Sequence, residues 1–436
     1  MPNASLLLVT VGNVSTAAAQ WYLVWFFARQ DGPQAVGQYS TLIATLTPVF
    51  ILSQLGLRNL YLTLQRRVSW RVYLGVRLST AVIATAVGLM AIHVLYADVD
   101  WRMAFAVLVI KVSDSIGDLF FARLQRAERL TTFGIILIVS ALVSAGVVTV
   151  IMVSTGSVVA ALWGVAGTAV VGAVVTAHLG IRASVPRPNF AEAPAPRIVP
   201  EARALLAAGL PLSLMQGIYS LMSYTPLGVV ALFGSADEVG RYASAAYLVV
   251  FANLVGASLE TVILPVYRRH YDAAGPTSLL RAALVRGLIV MGLMTPLIVL
   301  ALFVGSPLLS AVYGDEFALS RPAIGMLSLA AVVTVPTYLL SATLLVLNRY
   351  WATTSVGAFA VLVALGSGWA AGTLGLPAVE AGCIALLCGS LGRYGGELVL
   401  ASLPARPGAH PHAGGHEVVV TAEPAPRTIR NTRPTG

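Results

Sequence analysis

The 436-residue chain is 57% hydrophobic and 10% charged, with a mean hydropathy of +0.83 and a formal charge of +9. Soluble domains carry roughly 25% charged residues, so this composition excludes a water-soluble fold and points to an integral membrane protein. The arginines fall in short clusters between apolar runs, which excludes a nucleic-acid binder and fits charge held at a cytoplasmic membrane surface.

About 20 apolar residues cross a bilayer core. On that measure the chain is an all-α polytopic membrane protein with twelve predicted spans, near 4–28, 38–64, 72–96, 102–122, 132–153, 158–182, 204–232, 240–266, 281–304, 322–347, 352–372 and 378–402. The opening Met-Pro-Asn-Ala-Ser has no basic n-region and the apolar stretch is too long for a signal peptide, so it reads as the first span. The narrowest division, between the fifth and sixth spans, is only Ser154 to Ser157.

Arginine density alternates along the links. Arg66, Arg67, Arg71 and Arg77 follow span 2; Arg123, Arg126 and Arg129 follow span 4. Arg187, Arg197 and Arg203 follow span 6, and Arg268, Arg269 and Arg281 follow span 8. The intervening links hold single arginines and acids such as Asp98, Asp100, Asp237, Glu238, Asp315 and Glu316. Both termini are therefore expected on the cytoplasmic side of the cell membrane.

A Pro-, Ala- and Arg-rich link at 183–203 separates a six-helix lobe at 1–182 from another at 204–402. Residues 403–436 have the composition of a disordered cytoplasmic tail. Its His410, His412 and His416 are the one grouping with any metal-binding character, and the default is that they bind none. Cys383 and Cys388, five apart in one apolar run, read as core thiols rather than a disulfide.

No GxxxxGK[ST], HExxH, GxSxG or CxxC motif occurs, and the only lysine, Lys111, lies inside an apolar segment. ATP hydrolysis by this chain is thereby excluded. A membrane glycan polymerase or transferase would need a larger extramembrane loop than the link near 305–321 provides. The expectation is a transporter, not an enzyme, with no cofactor.

The halves repeat. Val36-Gly37-Gln38-Tyr39 opens span 2 and Val239-Gly240-Arg241-Tyr242 opens span 8, an offset of 203; Arg66-Arg67 and Arg268-Arg269 close the same spans at an offset of 202. Six spans per half give the halves the same orientation, a parallel repeat that usually places the pathway between them.

These segments, with Gln54-Leu55-Gly56-Leu57, Leu264-Pro265-Val266-Tyr267 and Tyr313-Gly314-Asp315-Glu316-Phe317, resemble the MOP exporters (multidrug/oligosaccharidyl-lipid/polysaccharide). Within them the chain is most similar to the Wzx-type polysaccharide flippases. The resemblance implies a cavity between two lobes, lined by spans 1, 2, 7 and 8, and a polyprenyl-linked glycan flipped by alternating access. It implies membrane lipids, that substrate and other polysaccharide-assembly proteins as partners. Multidrug relatives of the same fold carry amphipathic cations, the alternative cargo. Many relatives have an acid where this chain has Gln54.

An ionisable side chain within a span costs roughly 2.5–3.5 kcal/mol on insertion scales and marks a candidate functional site. Span 4 carries Lys111, Asp114, Ser115 and Asp118 on one stripe. Lys111 can pair with Asp114; Asp114 and Asp118 are the candidate carriers of a coupling ion, H+ or Na+, with Asp118 alternatively snorkelling to the surface. Arg58 and Glu260 occupy equivalent places in the repeat, each eight residues before its closing arginine pair. They form either a gate between lobes, with Arg58 available to a pyrophosphate, or two separate snorkelling groups. Asn13, Gln20, Gln54, Gln216, Tyr219, Tyr224 and Asn253 supply uncharged polar groups that suit sugar hydroxyls or helix–helix hydrogen bonds. Arg393 and Glu397 read as a local pair, and prolines 48, 211, 226, 265, 296 and 336 as bends.

Overall fold

The computed structural model describes residues 2–63, 68–96, 99–183 and 198–403. The closing pair Arg66-Arg67, most of the central link and the histidines of the tail lie outside the described residues.

Eleven α-helices follow one another: α1 Pro2–Ser53, α2 Leu57–Thr63, α3 Trp70–Leu95, α4 Trp101–Arg126, α5 Leu130–Thr155, α6 Val158–Arg182, α7 Ile198–Phe233, α8 Ala236–Tyr313, α9 Arg321–Val346, α10 Tyr350–Thr373 and α11 Ala378–Ser402. Among the described residues, nine helices are long and apolar enough to cross a membrane. Two of them, α1 and α8, bend at Gly32 (φ 69°) and Gly275 (φ 78°) into two spans each. Helix α4 is the twelfth; Lys111, Asp114 and Asp118 make it too charged to qualify on apolarity alone. The chain is thus a multi-pass membrane protein of two six-span halves.

Local chemistry explains where the helices stop. The narrow fifth-to-sixth division is real: Gly156 takes the left-handed conformation (φ 62°) that ends α5, and the Ser157 hydroxyl accepts from the Ala160 N–H at 3.3 Å to start α6. Ser235 and Glu238 form a reciprocal capping box at the start of α8. Asp100 and Ser320 cap α4 and α9 in the same sense.

The repeat extends beyond the two sequence matches. Glu128 (φ 55°), between α4 and α5, is answered by Asn348 (φ 56°) between α9 and α10, and Gly156 by Gly375 (φ 79°) between α10 and α11. In the first pair the following amide closes the same turn, Arg129 N–H to Leu124 and Arg349 N–H to Leu344, both at 2.9 Å. The offset grows from 203 to 220 chiefly because the part of α8 after the bend at Gly275, which ends at Tyr313, is longer than its counterpart α3.

The span expected at 38–64 is not one helix. Leu55 (φ 51°) and Gly56 (φ 54°) break it, and α2 leaves at a new angle. Leu57, Leu60 and Tyr61, spaced i, i+3, i+4, bury against Val72, Tyr73, Leu119 and Leu205. Arg58, about 100° round the helix from Leu57, reaches Asp118 and Gln125 of α4 beside that cluster.

Candidate functional site

The halves meet most closely at the end where α1 and α8 carry the repeated Val-Gly pair. A Cβ on Gly37 would overlap the carbonyl of Ala236, and a Cβ on Gly240 would overlap the carbonyl of Pro33. The two contacts are related by the repeat: Pro33 and Ala236, like Gly37 and Gly240, are 203 apart. Only glycine allows the backbones this approach. Trp21 Nε1–H to Tyr313 Oη and Trp25 Nε1–H to the Val312 carbonyl, both 2.9 Å, and Arg29 to the Ala311 carbonyl, 2.6 Å, tie α1 to the end of α8 at the same level. This end is sealed.

The opposite end is asymmetric. Along one seam α1 packs on α7: Leu52 fills the space beside Gly217, Leu55 lies on Gly209, and the Ser213 hydroxyl donates to the Leu52 carbonyl. The repeat relates Leu52, Leu55 and Gly217 to Val255, Ser258 and Val14. On that second seam Val255 and Ser258 are exposed and Val14 is 64% exposed. Phe251 (67%) and Val262 (72%) continue the exposed apolar face of α8. One seam is closed and its counterpart stands open.

Beside the closed seam lies a polar cavity of about 320 Å³, lined by Gln54, Gly56, Arg58, Asn59, Leu62, Arg77, Asp118, Gln125 and Gln216. Arg58 donates to Asp118 Oδ1 at 3.0 Å and to Gln125 at 3.3 Å, and Arg77 donates to Asp118 Oδ2 at 3.3 Å. Arg58 also lies over the Phe133 ring. Arg77 is completely buried, and its Nε and Nη1 have no hydrogen-bond partner among the described residues. Sequence reasoning grouped Arg77 with the boundary arginines. Its place seven residues beyond Trp70, where the helix starts, is the signal that separates it from them.

Several expectations change here. Arg58 pairs with Asp118 of its own half rather than with Glu260, so this state holds no gate between those two residues. Its depth does not follow from a continuous helix, since the break at Leu55 and Gly56 intervenes. Asp118 is not a spare carboxylate; it bridges two guanidinium groups. Lys111 and Asp114 form no ion pair within 4 Å among the described residues, although they lie within electrostatic reach of each other, and Asp114 is exposed.

A second polar cluster sits in the other half. Arg393 and Glu397 pair at 2.9 Å, as the sequence suggested, and Ser341 donates to Glu397 at 2.8 Å while accepting from Arg393 at 3.1 Å. The Arg393 guanidinium lies between the Tyr219 and Tyr338 rings, 5.2 Å from each centroid. Tyr338 donates to Asn253 at 3.1 Å, and Glu260 is within electrostatic reach of Arg393 and Glu397. Thus Gln54, Arg58, Asp118 and Gln216 converge in one cavity, and Tyr219, Asn253 and Glu260 in another cluster. Asn13 and Gln20 are exposed on α1, apart from both.

No family model matches the chain. It is 21% identical over 342 residues to the capsular polysaccharide biosynthesis protein CapF of Staphylococcus aureus, covering 78% of this chain and 84% of that protein. The lipid II flippase MurJ in an inward closed conformation superposes with a TM-score of 0.66 at 12% identity, over 89% of this chain and 86% of that one. A multidrug resistance MATE family transporter of the MOP superfamily, inward-facing, gives a TM-score of 0.63 at 16% identity, over 88% and 94%. With its two six-span halves and these structural neighbours, the chain has the fold of the MOP superfamily.

Proposed function

We propose that this chain is a flippase that carries a lipid-linked saccharide precursor from the cytoplasmic to the outer leaflet by alternating access, with both termini cytoplasmic. The observation that carries the reading is the unequal pair of seams. A cargo with an apolar tail and a polar head needs a side opening, because its tail loses stabilisation in water and its head loses more in hydrocarbon. The open seam between the first half of α1 and α8 meets that need, with exposed apolar side chains such as Val14, Phe251 and Val262 and the exposed polar Asn13, Gln20 and Ser258 on the same two helices. The alternation of arginines supports an outward position for the sealed Gly37 end, on which reading the described state is the loading state. Similarity to a capsular polysaccharide biosynthesis protein and to a lipid II flippase supports a lipid-linked cargo for polysaccharide synthesis.

Export of amphipathic cations is the second reading, favoured by the accessible carboxylate of Asp114 and the half-buried Glu260. In either case Asp114 is the group we assign to coupling with H+ or Na+, since arginines occupy Asp118. Proteoliposomes containing the chain should translocate a fluorescent polyprenyl-pyrophosphate saccharide several-fold faster than empty liposomes, with ethidium uptake unchanged. Ethidium transport without glycolipid movement would sink the flippase reading in favour of the exporter.

A further inference from the structure

The cavity around Arg77 is built for an anion that the described state does not hold. A guanidinium offers five N–H donors and no acceptor. Arg77 uses one nitrogen, Nη2, on Asp118, while Nε and Nη1 are buried without partners among the described residues. A buried donor left unmade is costly, and a charge inside a span more so. A helix brace would need none of that cost: an apolar side chain on α3 would pack as well. The second guanidinium, Arg58, meets the same carboxylate from α2, so one Asp118 stands where two cations converge. The cavity wall therefore carries two positive charges against one negative. Gln54, Asn59, Gln125 and Gln216 add amide donors, and the volume equals about ten waters at the liquid share of one water.

We propose that this cavity binds a phosphoryl anion, with Arg77 and Arg58 as its cationic walls and Asp118 as a resident counter-ion that the ligand displaces. Guanidinium forks match phosphate oxygens in bidentate geometry, which makes arginine the suited residue here. Gln216 comes from α7 of the other half, so a bound anion touches both halves at once. The proposal rests on the flippase reading for its source of ligand, the diphosphate head of a lipid-linked saccharide. The chemistry of the site is independent of that source.

The test is binding of inorganic pyrophosphate to the purified full chain in neutral-lipid nanodiscs by calorimetry, at constant ionic strength. Wild type should bind saturably. Asp118→Asn, which removes the competing carboxylate, should tighten binding, while Arg77→Gln or Arg58→Gln should weaken it at least about tenfold, the scale of one charged hydrogen bond. Arg77→Gln with Asp118→Asn keeps the cavity free of an unpaired buried carboxylate and should still bind more weakly than Asp118→Asn alone. Equal affinity in those two variants, weaker binding in Asp118→Asn, or no saturable binding at all would overturn the proposal. Farnesyl pyrophosphate should compete with the probe and phosphatidylglycerol in the disc should not; the reverse result would overturn the diphosphate source and assign an ordinary phospholipid head. Pyrophosphate binding without glycolipid translocation would remove the flippase and leave the site. Translocation that survives Arg77→Gln, with no pyrophosphate binding, would remove the site and leave the flippase.

Discussion

Two buried arginines, one per half, carry different burdens. Arg393 is saturated: a carboxylate, a hydroxyl and two aromatic faces surround it, and Glu397 is wholly buried beside it. Removing one partner of a buried pair leaves a bare charge, a loss of roughly 3–5 kcal/mol, whereas replacing both by apolar groups is often neutral. Glu397→Gln should therefore lower the unfolding temperature in detergent markedly, and Arg393→Leu with Glu397→Leu should recover most of it. If the double variant unfolds as early as the single one, the pair does more than satisfy itself. Arg77 is the opposite case, with donors to spare, and that difference marks it for a ligand. In the sequence both are an arginine inside an apolar run; nothing in either run states how many donors find partners.

At the scale of elements, the repeated Val-Gly pair is a contact surface rather than only a family signature. Gly37 and Gly240 each admit a carbonyl of the other half, so closure at this end depends on two missing side chains. Gly37→Ala and Gly240→Ala should each shift the population away from the sealed state. With Tyr39→Cys as reporter, labelling by a membrane-impermeant maleimide added outside should rise several-fold in both variants. Unchanged labelling would mean that the helices meet differently during the cycle. The break at Leu55 and Gly56 is the other decisive element. It takes Arg58 out of the continuous helix expected for span 2, and Arg58 pairs with Asp118.

At the scale of the whole molecule, the proposed orientation rests on the arginine alternation and sets which end would load. A fluorescent protein fused after Gly436 should be bright and an alkaline phosphatase fused there inactive. An active phosphatase would invert the proposed direction and make the sealed end cytoplasmic.

What the sequence determined by itself is the solvent, the number of spans and the twofold repeat. Each is written in local composition: apolar runs long enough for a bilayer, polar caps such as Ser157 and Ser235, and matched tetrapeptides. Even the narrow division at Ser154 to Ser157 was legible, because a glycine and a capping serine act within one turn. What only the tertiary structure decided is which charges meet. Arg58, Arg77 and Asp118 come from α2, α3 and α4, and their pairing depends on a kink and on helix–helix packing that spacing along one chain does not encode. The same holds for the unequal seams: the repeat makes the two halves alike, and only their docking makes one side closed and the other open.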